Sequence, residues 1–354
     1  MVSIGDYVIL GVEHEDLRVY DMSDPASPVL VSTMDASGRV YLDGTTLYAT
    51  LVNAPSGVRV FDVSDPANPV FITEMDPVVT SFILSIEFAN GLAYMIDYGD
   101  RNLLIYDLSD PTSPQFVSAT ALKFPRHLAV DGTDVYVGGF GLDIIDASDP
   151  TSPQVVGSLP IGTVGTPVSI QIRDDIAYMA DDGGSGFTTV DVSDITNPVV
   201  LDTQFYLSGA GTFNIATTIV LDGDIAYASE MYETFSGKDV YYEKFFGIID
   251  VSDPSHLARV ELTQVDAWLG TGAICVRDGL AFVAGRNDLM VIDVTDHCVC
   301  AGDLTGDGEL DFFDVSAFLD AFANQDSVAD FTDDGEYDFF DVSAFLDHFA
   351  AGCP

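Results

Sequence analysis

Positive charge is what this chain has least of. Of 354 residues only 12 are Lys or Arg, against 57 Asp or Glu, giving a formal net charge of −45. A surface of that sign repels nucleic acid and anionic membranes, and it suits cation binding, a salty medium or plain solubility. No run of about 18 apolar residues is present, so the sequence offers no membrane-spanning helix. A secretory leader is missing too, since Met1 opens directly onto "VSIGDYVIL". The five histidines (His14, His127, His256, His297, His348) fall at no metal-ligand spacing. No nucleophile motif, phosphate loop or dinucleotide fingerprint appears, and carboxylates are too numerous to single out a glycosidase pair. Disorder is excluded as well, because 47 % of the residues are hydrophobic.

What is present is a repeat. The string "VYDMSDPASPV" (19–29) returns as "VFDVSDPANPV" (60–70), "IYDLSDPTSPQ" (105–115), "IIDASDPTSPQ" (144–154), "TVDVSDITNPV" (189–199), "IIDVSDPSHLA" (248–258) and "VIDVTD" (291–296). The strand aspartates Asp21, Asp62, Asp107, Asp146, Asp191, Asp250 and Asp293 are spaced by 41, 45, 39, 45, 59 and 43. Each unit reads as β. In unit four "LAV" meets the Asp131-Gly132 turn and "VYVGG" follows, a hairpin signal. The strand "GLDIIDAS", a Ser-Asp-Pro turn and the strand "PQVVGSL" complete it. Four strands per roughly 43 residues is the period of a propeller blade, whereas a parallel β-helix needs much shorter rungs. Seven aspartates at equivalent positions point to a structural role in each unit, not to acid–base pairs.

The units resemble the LVIVD-repeat family of β-propellers over about residues 2–296, through motifs such as "IIDVSD" and "VIDVTD". The resemblance implies a seven-bladed ring and leaves activity open. Met1 falls inside the first strand of unit one, and unit seven lacks a fourth strand before the acidic tail. Because a ring must pair its edges, the expectation is a natural N-terminus upstream, carrying a secretion signal and a closing strand. A blade that is simply short is the alternative.

The tail is written twice. Counting from Asp303, oxygen-bearing side chains fall at positions 1, 3, 5, 9 and 12 (Asp303, Thr305, Asp307, Asp311, Asp314), with Gly308 at the sharp turn and Glu309 at position 7. The second loop repeats this with Asp330, Thr332, Asp334, Gly335, Glu336, Asp338 and Asp341. This is the spacing of an EF-hand calcium loop with Asp in place of Glu at position 12, so two Ca²⁺ ions are expected. After each loop, apolar residues recur at three- and four-residue intervals (Phe312, Val315, Phe318, Leu319, Phe322; Phe339, Val342, Phe345, Leu346, Phe349), predicting a helix with one apolar face. A loop and exit helix duplicated 27 residues apart, without an entry helix, resembles a type I dockerin. The terminal "AGCP", with a Cys three residues before the first loop, resembles the GC-type subgroup.

That resemblance implies calcium-dependent docking onto a cohesin module of another extracellular or cell-surface protein. Loop positions 10 and 11, small hydroxyl residues in cellulosomal dockerins, are here Phe312-Phe313 and Phe339-Phe340. This departure puts a cellulose-degrading assembly in doubt while leaving anchoring intact. Cys300 and Cys353 bracket the tail and a bond between them would clamp its ends; a Cys298–Cys353 pairing stays open. Cys275 reads as a small residue of a strand.

The fold expected is therefore an all-β seven-bladed β-propeller (1–297) plus a small α-helical dockerin domain with two EF-hand-like calcium loops (298–354). One insertion breaks the repeat. "MYETFSGKDVYYEKFFG" (231–247) in unit six carries Tyr232, Phe235, Tyr241, Tyr242, Phe245 and Phe246 with Lys238 and Lys244. It lies between second and third strands, on the face that also carries the inter-blade stretches with Phe124, Arg126, Phe205, Tyr206 and Trp268. Aromatic and cationic residues on an acidic surface suit a protein- or glycan-recognition patch; packing on a neighbouring blade is the competing reading. A non-catalytic binding module is expected. The other class considered is a polysaccharide-degrading enzyme working at the central channel, which would need a carboxylate pair at its mouth.

Overall fold

The computed structural model describes residues 1–11, 16–25, 27–51, 57–75, 82–181, 186–204, 212–236, 239–265, 274–277, 279–284, 289–294, 304, 312–324, 329, 331, 337 and 339–351. Its strands form seven antiparallel sheets, each in simple sequence order, spanning 2–34, 40–74, 83–121, 127–160, 167–204, 212–264 and 274–293. Six sheets have four strands; the seventh has three among the described residues, and 295–300 lie outside them. Blade one has all four strands, although its first, Val2–Ile4, is only three residues long.

Local chemistry explains the unit. The first turn of each blade reverses the chain in two residues, and in blade four Gly132 takes a positive φ of 58° that a Cβ would disfavour. The third strand ends on the repeated Asp, whose Oδ1 accepts the main-chain N–H of the Ser two residues on. These bonds measure 2.9 Å at Asp21–Ser23, 2.8 Å at Asp62–Ser64, Asp107–Ser109 and Asp146–Ser148, and 2.9 Å at Asp191–Ser193 and Asp250–Ser252. The next Asp repeats the device, as in Thr112 N–H to Asp110 at 3.0 Å and Thr151 N–H to Asp149 at 3.0 Å. The repeated aspartates are thus turn formers. A one-residue bulge then recurs in six fourth strands, at Val31, Ile72, Val117, Val156, Leu201 and Val260. Such bulges sharpen the right-handed twist of a blade.

Packing between blades makes the ring. Seven apolar clusters each sit between two neighbours. Tyr94, Ile96 and Ile105 of blade three, for example, meet Leu128, Val135 and Ile145 of blade four. The cluster of Val8 and Met22 with Phe282 joins blade one to blade seven and closes the circle. At that seam Cys275 Sγ donates to Ser3 Oγ at 3.1 Å.

First strands stand innermost, and their side chains clasp the next blade's backbone. Ser85 Oγ, His127 Nδ1, Ser169 Oγ and Gln171 Oε1 accept the N–H groups of Leu128 (3.4 Å), Ile170 (3.3 Å), Ile219 (3.2 Å) and Leu221 (2.7 Å). Because the connections of an up-and-down blade alternate, turns between second and third strands share one face with the inter-blade links; we call it the upper face.

The tail contributes two helices, Phe312–Asn324 and Phe339–Ala351, as the apolar spacing predicts. Their Phe318 and Phe345 rings stack with centroids 4.1 Å apart and planes 3° from parallel. Leu304, Phe322, Phe331 and Phe349 surround the pair, so the two Phe-rich faces form one small core.

Candidate functional site

Blade six carries the insertion at 231–247 as an extension of its sheet. The insertion is ladder, not loop: strands Ile225–Ser236 and Asp239–Asp250 are 12 residues each and pair throughout, joined at 237–238. Tyr241 and Tyr242 lie in this ladder opposite Thr234 and Glu233, and their side chains lie outside the described residues. Phe245 is half-buried opposite Glu230 and Gln264. Trp268, Phe205 and Tyr206 also fall outside the described residues. At the root of the hairpin Glu230 is buried and paired with Arg259, whose Nη2 donates to Oε2 at 2.9 Å while Nη1 stands 2.7 Å from Oε1.

The upper face of blades three and four gathers a site that is open to solvent. Phe82 precedes the first strand of blade three (Ile83–Ala89), and its carbonyl accepts the N–H of Tyr98 at 3.2 Å. Tyr98 and Arg101 belong to the turn between Leu92–Asp97 and Asn102–Asp107. Beneath that turn the buried Asp97 accepts the N–H of Asp100 at 3.3 Å. Phe124 and Arg126 come from the link between blades, pinned by Leu122 N–H to Arg101 O at 2.8 Å and Arg126 N–H to Gly138 O at 2.7 Å. Phe140 caps the tight turn between Asp134–Gly139 and Gly141–Asp146. Gly139 is required there, since a Cβ would run into the Phe124 carbonyl oxygen.

These side chains touch in a chain of rings and guanidinium groups. Phe82 stacks on Tyr98 with centroids 5.9 Å apart, and Arg126 stands 6.0 Å from the Tyr98 centroid. Arg101 lies 3.8 Å over the face of Phe124, whose ring is 6.0 Å from Phe140. Phe124 and Phe140 remain 50 % and 59 % exposed, so the patch is not a core fragment. Its backbone is strained. Arg101 and Phe124 have φ of 56° and 50°; the other described non-glycine residues with positive φ are Asn90, Asp174 and Asp175 in first turns, where such residues are at ease. A left-handed backbone costs roughly 1–2 kcal/mol per residue, more than an exposed cation–π contact of roughly 0.5–1 kcal/mol recovers. Strained residues cluster at ligand clamps and other functional sites.

Phe124 and Arg126 were singled out by sequence; Phe82, Tyr98, Arg101 and Phe140 were not. The signal available for them was position alone, since each lies in an upper-face connection.

Inside the ring, the first strands carry a second polar group. Arg39 Nη1 and Tyr41 Oη both donate to the Leu84 carbonyl, at 2.6 and 2.8 Å. Burial pushes Glu87 up to about 7, and burial, helped by the charge of Arg39, pushes His127 down to about 4. A neutral His127 is what its acceptor role toward Ile170 requires. Glu87 lies within the first strand of blade three, and Asp43, Asp131 and Asp222 close the first strands of blades two, four and six.

In the tail, Asp314 and Asp341, position 12 of each loop, are fully buried in the first turns of their helices. A carboxylate is buried at such cost only with a cation or strong donors facing it, so the two residues fit a calcium loop and a helix N-terminus alike. The remaining loop ligands, Asp303, Thr305, Asp307, Glu309, Asp311, Asp330, Thr332, Asp334, Glu336 and Asp338, lie outside the described residues, as do Cys300 and Cys353. Phe312 and Phe339 are 75 % and 74 % exposed, while the side chains of Phe313 and Phe340 are outside the described set.

Seven antiparallel blades closed into a ring define a seven-bladed β-propeller. More narrowly, this chain belongs to the LVIVD-repeat family, whose pattern matches residues 2–36, 91–120, 126–160, 165–203, 243–263 and 271–298, more than half of its length. Among curated proteins, none matches the sequence. Solved structures are similar in fold. A protein from Lactobacillus plantarum is 12 % identical with a TM-score of 0.65, over 82 % of this chain and 96 % of that one. A functionally unknown protein from Desulfotomaculum acetoxidans is 10 % identical, TM-score 0.63, over 82 % and 93 %. The periplasmic gluconolactonase of Pseudomonas aeruginosa is 12 % identical, TM-score 0.65, over 80 % and 91 %. At these identities the likeness shows the fold alone.

Proposed function

We propose that the protein is an extracellular, tail-anchored binding module. The propeller captures a glycan or protein on its upper face, and the tail (298–354), acting as a type I dockerin with two bound Ca²⁺ ions, attaches it to a cohesin module on a scaffold or cell surface. The observation that carries the binding role is the strained, exposed ring-and-guanidinium patch of Phe82, Tyr98, Arg101, Phe124, Arg126 and Phe140. Exposed aromatic residues and arginine are the side chains from which recognition surfaces draw most of their energy.

Anchoring is supported by the doubled loop spacing, the buried Asp314 and Asp341, and the exposed Phe312 and Phe339, which sit where docking partners are selected in the resembled family. Calcium would supply charge neutralisation for 14 Asp or Glu between His297 and Pro354, a stretch with no Lys or Arg.

The test uses the full chain against a glycan panel, an extracellular protein panel and a set of cohesin modules, each with and without chelator. Capture on the first or second that survives chelation, and capture on a cohesin that does not, is the expected pattern. Release of reducing sugar from a captured polysaccharide would replace the binding role with an enzymatic one. Calcium-independent cohesin capture, or none, would remove the anchoring role.

A further inference from the structure

Arginine is scarce in this chain and is mostly engaged. Arg59 pairs with Asp35 and Glu74, Arg259 with Glu230, Arg173 reaches the Gly223 carbonyl and Arg39 the Leu84 carbonyl. With 57 carboxylates available, an exposed arginine finds an acid easily. Arg101 and Arg126 are the exception. Both are exposed and neither forms an ion pair among the described residues; Arg101 lies on the Phe124 ring, and Arg126 stands 6.0 Å from the Tyr98 centroid. Lys123, also exposed, lies in the same link as Arg126. Among the described residues the patch is thus an island of three cations beside aromatic faces, with Asp143 near Lys123 and Asp100 in the turn of Arg101, in a chain of net charge −45.

We infer that this island binds a polysaccharide carrying isolated carboxylates, such as single uronate branches on a neutral backbone; the inference rests on the binding role proposed above and names its ligand class. The two planar guanidinium groups match a carboxylate bidentately, and the Phe124 ring 3.8 Å from Arg101 holds that fork in place before the ligand arrives. Phe82, Tyr98 and Phe140 offer flat apolar faces to the neutral sugar rings between the charges. Charge density decides between anionic polymers. Two or three cations answer one or two carboxylates, whereas a nucleic acid brings a charge at every residue against an acidic protein that repels it. Screening reinforces the choice. At physiological salt the Debye length is about 8 Å, so the distant acids are largely silenced while the contact pairs survive.

The full chain is titrated by affinity electrophoresis and calorimetry with three probes: glucuronate-branched xylan, the same xylan after carboxyl reduction, and a dT oligonucleotide. The branched xylan is expected to bind, carboxyl reduction to weaken binding at least tenfold, and the oligonucleotide to be excluded. The Arg101→Ala/Arg126→Ala variant should erase the preference for the charged form. Phe140→Ala should weaken both forms alike, with an unchanged melting temperature certifying the fold in each case. Affinity for the branched xylan should hold or rise between low and physiological salt, the reverse of counterion release from a dense polyanion.

Equal binding of the charged and reduced xylans overturns the acidic-ligand inference while leaving a glycan-binding module. Tight oligonucleotide binding overturns it in favour of a nucleic-acid site. Binding of neither xylan overturns it outright, and the protein panel then decides whether the propeller binds anything at all.

Discussion

Glu87→Gln isolates one buried charge at the centre of the ring. In the unfolded chain Glu87 loses its proton near 4.5, but burial holds it until about 7 in the folded protein. Between those values the folded state binds more protons, so the group's stabilising contribution is complete below 4.5 and is lost as pH rises through 7. At roughly 1.4 kcal/mol per pH unit the gap amounts to about 3 kcal/mol, and residual contact with channel solvent lowers that to roughly 1–3 kcal/mol. His127 works in the opposite sense. Burial, and secondarily the charge of Arg39, lowers it from 6.5 to about 4, so its contribution is complete above 6.5 and is lost as pH falls through 4. The two slopes oppose each other over the shared window.

Glutamine keeps the size and removes the titration. The variant should match the wild type near pH 4 and exceed it by roughly 1–3 kcal/mol above pH 7, with the His127 slope laid bare between. Urea unfolding followed by far-ultraviolet circular dichroism, at half-unit steps across that range, measures the difference directly. Subtracting the profiles cancels every group common to both proteins. Parallel profiles would show that Glu87 ionises normally in the ring and would refute the burial argument.

Other perturbations test other layers. Arg259→Met should cost about 3–5 kcal/mol by stranding the buried Glu230, and Arg259→Met/Glu230→Met should recover most of it; chemical denaturation of both reads the coupling. Hydrogen bonds from Ser109, the main-chain N–H first, hold the Asp107 carboxyl below its ordinary range, and those from Ser148, the hydroxyl first, do so at Asp146. Their contribution is therefore present above the unfolded value near 4 and is lost as pH falls below it. Asp107→Ala/Asp146→Ala should melt lower at neutral pH and show a shallower acid loss than the wild type. Chelation should unfold the tail helices and spare the propeller, because a ligand at a hundredfold excess over Kd contributes about 2.7 kcal/mol, and helices of about three turns are marginal alone. Asp303→Ala/Asp330→Ala should mimic the chelator; helical circular dichroism that ignores calcium in the full chain would count against a metal-coupled tail.

The parts of this protein legible in sequence are those whose physics is local. An Asp that accepts an N–H two residues on, a Gly that turns a hairpin, and a Phe repeating every three or four residues each act within one turn of chain. Seven blades, their turn aspartates and two tail helices could therefore be counted from residues alone. How the insertion of blade six is built was not legible in this way: residues 231–247 lack strict alternation, and pairing with Thr212–Asp222 and with each other makes the described ones strand. The ring-and-guanidinium patch is wholly tertiary. Arg101 meets Phe124, and Phe82 meets Tyr98, only because a second-to-third-strand turn and an inter-blade link emerge on one face of a closed ring. Burial of Glu87, neutrality of His127 and the Glu230–Arg259 pair likewise depend on how seven blades converge. No short window of sequence carries that angle; the packing of seven inter-blade cores sets it.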